Sequence, residues 1–66
     1  MNAQQALEAF RFADGLASGA ESADELDEMS NVEWVEENAP DSFTPEMKQH
    51  AQNILLEHHM RSIGRA

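Results

Sequence analysis

Three histidines and thirteen carboxylates are the residues in this chain whose chemistry could do work. His50 and His58 stand eight apart, and His58 and His59 are adjacent. Neither pair has the four-residue spacing that puts two imidazoles on one metal from one helix. Glu46 and His50 do have it, but a single such pair leaves a site short of ligands. No metal and no cofactor is therefore expected. Nucleophilic catalysis is equally short of parts. The chain has no Cys, no Tyr and no glycine-rich phosphate loop. Ser18, Ser22 and Ser30 fall where caps and turns are needed, and Ser42 and Ser62 have no local His–carboxylate partners. A non-enzymatic protein is expected.

Charge segregation is the strongest feature. Glu21 to Glu46 holds ten acidic residues and no Lys or Arg, whereas Met47 onward holds Glu57 against Lys48, Arg61 and Arg65. The net charge is -9 over 66 residues. Such a field repels nucleic acid and anionic lipid and steers basic partners. Direct nucleic-acid binding and membrane binding are thus not expected. Trp34 lies inside the acidic segment, between Glu33 and Val35. An aromatic ringed by carboxylates resembles an interface anchor, and it is also the one large side chain able to hold that segment to a core. The candidate partner-binding surface is Glu25, Glu28, Glu33, Trp34, Glu36 and Glu37.

These residues need elements to hold them. A chain this short supports one small domain with a marginal core, and without cysteines its remaining staple is self-association. Leu, Ile, Val and Phe make up only 12 of the 66 residues, a composition that borders on disorder. The apolar residues are nevertheless periodic, which favours a folded helical chain with frayed ends. Ala3, Ala6, Leu7, Phe10, Ala13 and Ala17 share one face of a helix over about 3–18, with Gly19 as its C-terminal glycine cap. Phe12 points away from that stripe, beside Ala9 and Leu16. Gly15 costs about 1 kcal/mol inside a helix unless it permits close packing.

Two Ser-x-x-Glu capping boxes, Ser22–Glu25 and Ser30–Glu33, open short helices over about 23–29 and 31–38. Their apolar residues, Leu26, Met29, Val32 and Val35, recur every three positions. One continuous helix would wind that stripe around itself, so a bend is expected near Ser30. Thr44 as N-cap, Pro45 at the first position and Glu46 in the first turn open the last helix, over about 45–63, with Gly64 as its stop. It carries two apolar stripes: Met47, Ala51, Ile54, Leu55 and His58, then Leu56, Met60 and Ile63. The first is a core face. The second, with Phe12, is the candidate oligomer seam.

The expected fold is all-α: two long helices packed antiparallel through Leu7 and Phe10 against Met47, Ile54 and Leu55, plus one or two short acidic helices, assembled as a homodimer. No apolar stretch long enough for a signal peptide or a membrane span is present, and a cytoplasmic location is expected. In size, composition and the style of Ala6-Leu7-Glu8-Ala9-Phe10-Arg11-Phe12 and Val32-Glu33-Trp34-Val35-Glu36-Glu37, the chain resembles the small acidic helical accessory proteins that lambdoid-type temperate phages express early. That resemblance implies an accessory modulator that binds a host protein in the host cytoplasm. Two other readings stay open: a nucleic-acid mimic occupying a DNA- or RNA-binding protein, and a self-assembling structural subunit.

Overall fold

The computed structural model describes residues 1–63; Gly64 and Arg65, to which the sequence assigns a helix stop and a positive charge, lie outside them. Four α-helices follow in order: α1 Ala3–Gly19, α2 Ala23–Met29, α3 Val32–Asn38 and α4 Pro45–Ile63. Among the described residues there is no strand.

Each helix start is fixed by a side chain. Asn2 and Gln5 form a reciprocal box on α1: Gln5 N–H donates to Asn2 Oδ1 at 2.8 Å, and Asn2 N–H donates to Gln5 Oε1 at 3.0 Å. Ser22 Oγ accepts from Glu25 N–H at 3.2 Å. Thr44 Oγ1 does the same for Met47 N–H at 3.2 Å. Neither expected Ser-x-x-Glu box closes: Ser22 caps α2, but the Glu25 carboxylate accepts from Glu21 N–H and not from Ser22 N–H. Asn31, not Ser30, caps α3, its Oδ1 accepting from Glu33 N–H at 2.9 Å. Ser30 closes α2 instead: it is buried, and its hydroxyl donates to Asp27 O at 2.7 Å. An inward-facing Ser30 satisfies its own polar group at no cost, while Asn31 is left in the extended conformation that a cap requires. Gly19 is not a left-handed cap either. α1 includes it, and Ala20 ends the helix in extended backbone.

The chain runs up, back and up again. Along α2 and α3, successive residues meet α4 in reverse order: Asp27 faces His59, and Ser30 O accepts from Gln52 Nε2. Along α1 the order is direct, because the Met1 ammonium meets Glu46 and Asp14 meets His58. α1 and α4 therefore run in the same general sense, not antiparallel. The reason lies in the middle segment. α2 and α3 together form a broken return rod of useful length, so α4 starts from the end where α1 started.

The packing face of α1 also differs from the expected one. Leu7 and Phe10 are exposed, at 47% and 46%. Ala9 and Ala13 are fully buried, together with Ala51 of α4. Three alanines let the two helix backbones approach closely, and Phe12 and Leu16, on the same side of α1, pack on the core cluster. That face joins small residues at the crossing to large ones beside it. The core is completed by Leu26, Val35, Phe43, Met47 and Leu55. Full burial of Met47, Leu55 and Val35 contributes about 1.5–3 kcal/mol each. Gly15 is exposed, and a Cβ there would meet nothing within 4 Å, so it serves no close contact.

Candidate protein-interaction face

The break between α2 and α3 decides which acidic residues meet. Ser30 turns the chain inward, and α3 starts in a new direction from Asn31. The last turn of α2 and the first turns of α3 then enclose an open depression of about 210 Å³ lined by Glu28, Asn31, Glu33, Trp34 and Glu37. Trp34 is half-buried with one side on the core cluster, and another part of it lines this depression. Its carbonyl accepts from Asn38 Nδ2 at 2.8 Å, which tightens the last turn of α3.

Glu28, Glu33 and Glu37 are all exposed, and among the described residues no salt bridge reaches any of them. Three carboxylates around one indole can receive a Lys or Arg side chain, which gains ion pairing at its head and cation–π contact along the ring. Surface carboxylates also set a long-range field that salt screens.

Two acidic residues assigned to the same surface fall elsewhere. Glu36 lines a separate depression of about 190 Å³ between α3 and α4, with Val32, Pro45, Lys48, Gln49 and Gln52. Glu25 sits in the first turn of α2, where its carboxylate accepts from Glu21 N–H at 3.0 Å. It reaches past Ser22 to the preceding residue, so it acts as a local cap.

Two of the three histidines face carboxylates on neighbouring helices. His58 Nε2 lies 3.8 Å from Asp14 Oδ1, and His59 Nε2 lies 3.2 Å from Asp27 Oδ1, linking α4 to α1 and to α2. His59 is the more buried of the two, with a side chain 15% exposed against 35% for His58, although His58 is the one that falls in the apolar stripe. Among the described residues no three His, Asp or Glu side chains converge as a metal site. Glu46 holds the Met1 ammonium at 2.8 Å, and this hydrogen bond, with the attraction of the positive charge, lowers the Glu46 pKa below its ordinary value.

The oligomer-seam residues divide in two. Leu56, Met60 and Ile63 are exposed on α4, at 37%, 68% and 59%. Phe12 stands apart from them, half-buried with its ring edge-on to Phe43. Among the described residues no helix is long and apolar enough to cross a membrane.

Sequence reasoning missed the caps at Asn2 and Asn31. Both had a visible signal, since Asn is as good an N-cap as Ser. Asn2 even stands three residues before Gln5, the capping-box spacing. Comparison of the chain with protein-family models, with curated proteins and with solved structures returns no match.

Proposed function

We propose that this protein is a non-enzymatic interaction module that binds a basic protein partner through the α2–α3 face, in the manner that the resemblance to phage accessory modulators implies. The observation that carries this reading is the setting of Trp34. The only indole of the chain opens onto a depression walled by Glu28, Glu33 and Glu37, with no cation on the lining. Trp34 packs on the core cluster with one part and leaves another part facing the depression, so aromatic surface stands within a ring of carboxylates. Aromatic anchors surrounded by polar rims are where interface energy concentrates.

The test compares two baits in cell lysate, with nuclease treatment in parallel: the wild-type chain and the Glu28→Gln, Glu33→Gln, Glu37→Gln variant. All three side chains are exposed, so the variant keeps its helicity, checked by circular dichroism. The expected result is a basic protein retained by the wild type, lost from the variant, and lost from both as salt rises. Equal retention by both baits, or retention by neither, overturns the reading.

A further inference from the structure

The exposed side of α4 carries a second pattern, independent of the acidic face. Gln49, Asn53, Leu56, Met60 and Ile63 follow one another at steps of four, three, four and three residues, and all five are exposed. This is the a/d spacing of a coiled-coil seam. It lies roughly 150° around the helix from the buried Ala51. The charged residues of α4, Glu46, Lys48, Glu57 and Arg61, all fall off this line. In a chain of net charge -9, a line that runs the length of the longest helix without a single charge is where a like-charged copy can approach. Its polar half is already ordered, with Gln49 Nε2 donating to Asn53 Oδ1 at 3.1 Å.

We propose that α4 pairs in parallel with α4 of a second copy of this chain through Gln49, Asn53, Leu56, Met60 and Ile63. Parallel pairing sets like against like. Leu56, Met60 and Ile63 bury each other's apolar surface, and Asn53 meets its counterpart at an a position, where a lone Asn specifies two strands and fixes their register. Antiparallel pairing would set Met60 and Ile63 against Asn53 and Gln49. Phe12 takes no part, being held against Phe43. The partner is a second copy and not a basic protein: none of the five positions is a carboxylate, and Glu36, which lines a depression with Gln49, shares it with Lys48. Two heptads with three apolar residues make a weak dimer, governed by concentration.

Sedimentation equilibrium of the full chain, at rising concentration and at low and high sodium chloride, reads this directly. The mass should rise from 7.4 kDa toward twice that value. The rise should come at lower concentration in high salt, which screens the repulsion between two acidic copies. Binding at the Trp34 face weakens with salt, so the two surfaces are told apart by opposite responses. The Leu56→Glu, Met60→Glu variant should keep its helicity, since both positions are exposed, and should stay at 7.4 kDa throughout. The chain has no cysteine, so Asn53→Cys introduces a single thiol. With diamide it should cross-link to a covalent dimer faster than Glu8→Cys, which lies on the exposed side of α1. A wild-type mass of one chain at every concentration, a Glu variant that keeps the wild-type mass, or Asn53→Cys cross-linking no faster than Glu8→Cys overturns the proposal.

Discussion

The rings of Phe12 and Phe43 meet edge to face, with centroids 5.3 Å apart and planes inclined at 71°. Phe43 stands just before the cap of α4 and Phe12 lies just past the midpoint of α1, so this pair clamps the start of α4 onto the middle of α1. Edge-on aromatic pairs add about 0.5–1.5 kcal/mol to the area they bury.

Replacing Phe43 with Ala should therefore cost about 3 kcal/mol or more. A chain of this length has a total stability of only a few kcal/mol, so the variant should be largely unfolded at 37 °C. Phe10→Ala, on the exposed side of α1, should change stability by less than about 0.5 kcal/mol. Urea titrations followed by circular dichroism read both. A large loss at Phe10 would restore the Leu7–Phe10 face as the packing face.

Gly15→Ala should stabilise the protein by about 1 kcal/mol. The added methyl meets nothing within 4 Å, and alanine removes the backbone entropy that glycine loses in a helix. A rise in thermal midpoint measures it. No rise would mean that α1 is distorted at that turn.

Asn31→Ala should cost about 1 kcal/mol by releasing Glu33 N–H from its cap. It should also loosen the first turn of α3 and shift the emission of Trp34, the only tryptophan. Thermal melts read by ellipticity and by fluorescence give the two outcomes from one sample. Unchanged emission with a lowered midpoint would show that Trp34 is held by the core alone.

Glu46 gives the pH dependence. Its folded-state pKa is lowered below the ordinary 4.5 by the Met1 ammonium. The stabilisation is thus present above pH 4.5 and is lost as pH falls through the lowered value. Wild type should melt above Glu46→Gln at pH 6, and the two should converge in acid. The gap should be small, because the pair is exposed and screened by solvent. A gap that persists at low pH would assign the effect to something other than the charge.

The helices themselves were legible because their signals are local. Pro45 after Thr44, the three-residue spacing from Leu26 to Val35, and the stripe from Met47 to Leu55 each speak within one or two turns. The relative direction of α1 and α4 was not legible. α1 is apolar on two sides, with Leu7 and Phe10 on one and Phe12 and Leu16 beside Ala9 and Ala13 on the other, so hydrophobicity alone does not choose between them. The structure chooses the side whose small residues let α4 come close, and that choice depends on Ala51, which lies 38 positions beyond Ala13. The acidic surface was legible as composition but not as a site. Glu28, Glu33 and Glu37 gather round Trp34 while Glu25 and Glu36 do not, and the sorting depends on the chain turning at Ser30 with Asn31 as the cap.

Every other helix packs on α4, which follows all three in the chain. A nascent chain that has emerged as far as Asn38 holds three helices with almost nothing to lie against. Isolated helices of 7 residues do not persist in water, and one of 17 is marginal. A stable fold must then wait until Met47, Ala51 and Leu55 are available to pack. Until then Leu26, Val35 and Phe43 have no core to enter, and a chain truncated before Ala51 should lack stable helical structure by circular dichroism.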